Sequence, residues 1–268
     1  MNITPHFVFI HMPKTGGTFV SKVLRQIYGT GRWHEFVLRD ERLLAASNRV
    51  SRWVQGRKMV YEEFNKHGTC HEIPPRAAHL PILSCVRNPF DWYVSNYKYA
   101  WWRTHPDRYP GLRTDPRWPD LSFSDYLDLS NSAWLSLLNP GTEVNPAFGR
   151  LTVLFVNYYC RQPKALLSLP NDESFIQAVL ADLMPVHFLD TGHLNRGLYD
   201  YLLATGHYPA DTLAFILEKE KVSPRNQRKA DEAWPQFYTP DQIVEMRQRD
   251  RLLFYLFPHF SESSTQPV

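Results

Sequence analysis

Residues 7–28, FVFIHMPKTGGTFVSKVLRQIY, change character twice, and that change constrains the fold more than any other stretch. Phe7 to Ile10 form a short apolar run of strand type. Val20, Val23, Leu24 and Ile27 then recur at the spacing of one helix face. Between the two lies Pro-Lys-Thr-Gly-Gly-Thr. A strand, a tight glycine turn and a helix start make a local anion site, because free backbone N–H groups and the positive end of the helix converge there. The loop is not a Walker A loop, in which lysine follows the glycines; here Lys14 precedes Gly16 and Gly17. An ordinary strand-to-helix turn with a surface lysine is the competing reading.

A second strand is expected at Pro81 to Arg87. It runs into RNPFDWYVSNY, where Asn88 can cap a helix and Pro89 can fill its first position. Arg87 then sits at the carboxyl end of a strand, where open α/β sheets bind ligands. Ser95 lies about two turns into that helix. An arginine fork and a hydroxyl suit a phosphate group. Alternatively, Arg87 pairs with Asp91 and Ser95 packs. Val186 to Asp190 reads as a third strand and 195–204 as the helix after it. Helices are expected at 36–56, with Leu43, Leu44, Trp53 and Val54 inward, at 123–130, and at 211–220 with Asp211 as its cap. Thr239, Pro240 and Gln242 open a last helix running to about residue 256. Residues 151–160 fit helix and strand equally. Strands alternating with helices imply an α/β fold with a mostly parallel sheet and helices on both faces. One domain is expected over 1–260, with 261–268 a disordered tail.

The formal charge of +3 is too small for a general nucleic-acid binder, so any anion site is local. Three cysteines, with no C-x-x-C pair, point to a reducing compartment rather than a disulfide framework. No apolar stretch reaches membrane-spanning length, and a cytoplasmic location is expected. No H-E-x-x-H or Cys/His cluster suggests a metal. The segment 101–120 holds four prolines and three tryptophans among arginines and histidines, and is expected to be a long, structured, functional loop.

Together, PKTGGT and RNPFDWYVSNY, in this order and about seventy residues apart, resemble the 5′-phosphosulfate loop and the 3′-phosphate motif of sulfotransferases that use 3′-phosphoadenosine 5′-phosphosulfate (PAPS). The likeness is closest to carbohydrate-type and related bacterial members. It covers residues 7–28 and 81–99 directly, and FLDTGHLNRGLYDYL and the C-terminal stretch from SPRNQRK more weakly. It implies a P-loop-like parallel β-sheet with helices on both faces. It also implies PAPS as co-substrate, adenosine 3′,5′-bisphosphate as product, no metal, and a carbohydrate or other small-molecule hydroxyl acceptor. Lys14 would contact the oxygen bridging phosphate and sulfuryl group. Thr15, Gly16, Gly17 and Thr18 would hold the 5′-phosphate, and Arg87 and Ser95 the 3′-phosphate. Many relatives carry arginine where this chain has Trp92, which is expected to stack or pack instead.

The resemblance also places an acceptor-facing histidine between the two motifs. In HGTCHEIPP, His71 is the first choice of base, Glu72 the alternative and His67 the third. His11 is expected to shape the loop, and His193 could line the pocket. Related enzymes bring a late basic loop over the nucleotide, which here makes Arg225, Arg228 and Lys229 candidates; a solvated charge run is the competing reading. Two other functions stay open. One is a P-loop kinase-like phosphotransferase, disfavoured by the lysine order. The other is a non-catalytic nucleotide-binding protein with this fold.

Overall fold

A computed structural model describes residues 1–28, 61–138, 144–219 and 233–262. In chain order its strands are β1 (Asn2–Ile3), β2 (Val8–Ile10), β3 (Glu62–Glu63), β4 (Ile82–Val86) and β5 (Val186–Asp190). Its longer helices are α1 (Gly17–Ile27), α2 (Pro89–Tyr99), α3 (Phe123–Ser130), α4 (Arg150–Tyr159), α5 (Glu173–Asp182), α6 (Leu194–Ala204) and α7 (Pro240–Arg249). The chain divides into two compact units, Met1–Val86 with Pro185–Val222, and Arg87–Met184 with Ser223–Val268.

The first unit is α/β. Its five strands lie in the order β3-β1-β2-β4-β5. β2, β4 and β5 are parallel neighbours, with Ile10 opposite Ser84 and Val86 opposite Asp190. β1 pairs antiparallel with both β2 and β3, so the sheet is mixed rather than wholly parallel. The core follows from two periodicities. Phe7, Phe9, Leu83, Cys85 and Leu189 alternate along the strands onto one face. Val20, Val23 and Leu24 of α1 and Leu194, Leu198 and Leu202 of α6 meet them there at helical spacing. A polar chain ties the antiparallel edge to α1. The Ser21 hydroxyl donates to Asn2 Oδ1 (2.9 Å), Asn2 Nδ2 to the Tyr61 hydroxyl (2.7 Å), and that hydroxyl to Glu63 (2.7 Å). Arg25 completes it with two bonds to the Glu63 carboxylate, at 2.5 and 3.0 Å.

The second unit is helical. Asn88 caps α2, its Oδ1 accepting from Phe90 N at 3.0 Å, and Pro89 takes the first helical position. Trp92 is buried and meets Tyr93 edge to face, which is the packing role expected of it. Residues 150–159 form helix α4; Val153, Phe155, Val156 and Tyr159 are all fully buried, so the apolar run serves a core helix. Thr239 and Gln242 form the capping box of α7. The last helix is interrupted at Asp250 and resumes as Arg251–Leu256. In the first unit, the helix expected over 211–220 is instead two single turns, Ala210–Leu213 and Phe215–Glu218. Pro209 stands at the cap position where Asp211 was expected.

Segment 101–120 is a chain of short turns laced by its own charges. Arg103 bonds Asp120 at 2.9 Å, and Arg113 bonds Asp107. Arg117 bonds Asp115 at 2.7 Å and Asp125 at 2.9 Å. Trp102 is buried. Among the described residues no helix is long and apolar enough to cross a membrane. The helix expected at 36–56, the cluster Arg225, Arg228 and Lys229, and all but the start of the 261–268 tail lie outside the described residues. Cys70, Cys85 and Cys160 are buried and none is in a disulfide.

Candidate functional site

The loop between β2 and α1 has an unusual backbone. Lys14 is left-handed with φ 67°, a conformation that disfavours a side chain with a β-carbon. Gly16 is left-handed too, with φ 89°, and is the N-cap of α1. Having no side chain, it offers no side-chain acceptor to the first-turn N–H groups of the helix; its carbonyl oxygen accepts from Phe19 N at 2.9 Å. Two left-handed residues flanking Thr15 at a helix start form the kind of concavity that cups an anion. Thr15 is buried, and its hydroxyl donates to Met12 O at 2.9 Å, closing the loop on itself. Thr18 and Lys14 are half-buried.

Gly17 cannot carry a side chain here. A β-carbon would lie 2.5 Å from His11 Cγ and 2.6 Å from Nε2, inside the ring's contact distance. His11 thus forms the floor under the helix start, as expected of a loop-shaping residue. Its burial pushes its pKa down to about 3, helped by neighbouring His67, so the ring is neutral.

His67, exposed on its outer side, meets that floor edge-on. The two imidazole centroids are 5.0 Å apart, and His67 Nδ1 lies 3.1 Å from the His11 carbonyl oxygen. A carbonyl only accepts, so Nδ1 carries the proton and the tautomer is set. Desolvation holds the His67 pKa below the usual histidine value, against the opposing pull of that hydrogen bond. His71 is exposed, on the single turn Cys70–Glu72 that begins at buried Cys70. Glu72 is the anchor of that turn: its carboxylate accepts from Thr69 N at 2.8 Å and Asn65 Nδ2 at 2.7 Å. Of the candidates between the two motifs, His67 contacts His11.

A contributor that sequence reasoning missed is Thr191, directly after β5. Its hydroxyl lies 2.6 Å from the Val86 carbonyl oxygen and 3.1 Å from the Thr15 carbonyl oxygen. It thereby joins the glycine loop to the end of β4. Only its place just past a strand's carboxyl end could have marked it in the sequence. Two residues on, His193 is exposed.

In the second unit, Arg87 precedes the Asn88 cap, and Ser95 lies on α2; both are half-buried. Buried Trp92 leaves no arginine equivalent at that position. Among the described residues no group of three His, Cys, Asp or Glu side chains is arranged to hold a metal ion. Compared with models of known protein families and with curated proteins, the chain matches none.

Proposed function

We propose that this protein is a sulfotransferase that moves a sulfuryl group from PAPS to the hydroxyl of a carbohydrate or other small-molecule acceptor. The observation that carries the reading is the backbone of the PKTGGT loop. A lysine and a glycine both held left-handed, at a helix start with no side-chain cap and seated on a neutral histidine, suit a bound phosphate. The likeness of this loop and of RNPFDWYVSNY to the two PAPS motifs supplies the nucleotide's identity.

The chemistry follows from charge movement. Lys14 directs its ammonium at the bridging oxygen, where negative charge grows as the S–O bond breaks, and so favours the transition state. The loop N–H groups of Thr15 to Thr18 hold the 5′-phosphate, and Arg87 and Ser95 hold the 3′-phosphate. Arg225, Arg228 and Lys229 are proposed to add to this hold. The acceptor oxygen forms the new S–O bond and loses its proton to a base. The bridging oxygen keeps the electron pair and leaves as part of adenosine 3′,5′-bisphosphate. Positioning and electrostatics do this work, as in phosphoryl transfer.

The test is ligand binding. Adenosine 3′,5′-bisphosphate, added without divalent metal at a hundredfold excess over its dissociation constant, should stabilise the fold by about 2.7 kcal/mol. Absence of binding by calorimetry at millimolar ligand, or binding of ATP with Mg2+ in its place, would overturn the reading.

A further inference from the structure

Thr191 uses both branches of its side chain. The hydroxyl has one proton and two carbonyl oxygens within reach, Val86 O at 2.6 Å and Thr15 O at 3.1 Å. The methyl, Cγ2, stands 3.6 Å from where a β-carbon on Gly16 would be. Thr191 therefore meets the glycine loop at the carbonyl of Thr15, and its methyl fills space that a side chain on the left-handed Gly16 would need. Its place is fixed from below. β5 is in parallel register with β4, Asp190 beside Val86, and Asp190 Oδ1 accepts from Gly192 N at 2.8 Å to turn the chain right after the strand. The Val86 carbonyl that Thr191 holds belongs to the peptide bond leading into Arg87.

From this geometry we infer that Thr191 is a positioning residue for the nucleotide. Its one proton, shared between the nearer Val86 carbonyl and the Thr15 carbonyl, ties the Thr15–Gly16 peptide of the phosphate loop to the last peptide of β4, and so sets where the loop's N–H groups and the neighbouring Lys14 stand. The inference rests on the sulfotransferase reading and adds a residue that the motifs do not contain. The hydroxyl is the group this role requires. Valine keeps the shape and loses the bond; serine keeps the bond and loses the methyl.

The experiment compares Thr191→Val, Thr191→Ser and Lys14→Ala with the unaltered protein. Affinity for adenosine 3′,5′-bisphosphate is read by calorimetry, and turnover of PAPS with an acceptor found by screening. Thr191→Val should weaken bisphosphate binding by about tenfold or more and lower kcat, and Thr191→Ser should restore most of both. Since Thr191 acts through the placement of Lys14, adding Thr191→Val to Lys14→Ala should lower kcat far less than it does alone. If the unaltered protein binds no bisphosphate, the sulfotransferase reading fails and this inference with it. If it binds and Thr191→Val binds equally well, or the two kcat losses simply multiply, the positioning role alone is overturned.

Discussion

Asp250 accepts both the backbone N–H and the hydroxyl of Thr152 through one carboxylate oxygen, Oδ1, each at 2.8 Å. The carboxylate is fully buried, at 0% exposure, where α7 gives way to the next helical turn. The nearby Tyr93 hydroxyl gives its proton to Asn131 Oδ1 at 2.9 Å, and among the described residues Asp250 Oδ2 has no hydrogen-bond partner. Burial raises the carboxyl pKa from 3.8 to about 6, against the opposing pull of the Thr152 bonds.

The sign of the resulting pH dependence is the reverse of the usual aspartate. The folded state keeps this proton to higher pH than the unfolded chain does. Between pH 4 and 6 the unfolded state therefore binds fewer protons, and stability falls as pH rises. The loss levels off above pH 6 at about 3 kcal/mol. Asp250→Asn removes the titration, so the stability difference between variant and unaltered protein should shift in the variant's favour from pH 4 to pH 7.5. Urea denaturation at the two pH values checks it; a difference that stays constant would place the Asp250 pKa near its ordinary value.

Gly17→Ala drives a methyl group into the buried His11 ring. Overpacking of this kind costs about 1–3 kcal/mol. The damage is local to one neighbour, so His11→Ala should relieve it: the cost of Gly17→Ala should fall by more than half in that background. Denaturant midpoints of the four proteins in the cycle measure this. Equal costs in both backgrounds would mean that another contact forbids the side chain.

What was legible in the sequence was what is local. Phe7 to Ile10 and Ile82 to Val86 announce themselves as apolar runs, and the Asn88-Pro89 and Thr239-Gln242 caps act within one turn. β1 and β3 were not legible. Asn2–Ile3 and Glu62–Glu63 are two residues each, strands only because each is paired. The break at Asp250 was hidden because helical periodicity continues through Leu252 and Leu253, while the buried partner, Thr152, is remote in sequence. For the same reason the Thr191 bonds to Val86 and Thr15 were beyond reach of any local pattern. In segment 101–120 the arginines among prolines and tryptophans suggested a functional loop. Arg103, Arg113 and Arg117 hold the segment's own aspartates, spaced too irregularly for a periodic rule to match them.

Lys14→Ala should divide catalysis from binding. The ammonium's proposed partner gains charge chiefly in the transition state, so kcat should fall by on the order of 10² or more. Affinity for adenosine 3′,5′-bisphosphate should change far less. The complementary change, Arg87→Ala, should mainly cost nucleotide affinity. Steady-state kinetics and calorimetry on both variants test the division. A Lys14→Ala enzyme with normal kcat and only a raised KM for PAPS would remove lysine from the proposed step.

Of the three acid–base candidates between the motifs, His67 is the one joined to the loop's floor. A base must be unprotonated when it acts. The His11 carbonyl takes the Nδ1 proton of His67 at 3.1 Å, and desolvation keeps the ring's pKa below the usual histidine value. Glu72 is occupied in capping its own turn; His67 and His71 are both exposed, and it is His67 that meets the His11 floor. His67→Ala should then leave bisphosphate binding intact and cut transfer to a hydroxyl acceptor by about 10²- to 10⁴-fold, whereas His71→Ala should do neither. The acid limb of the pH–rate profile should fall below pH 6.5, because the rate drops only as pH passes down through a lowered pKa. If His71→Ala abolishes transfer while His67→Ala retains it, the Cys70–Glu72 turn supplies the base and the tie between His67 and His11 is structural alone.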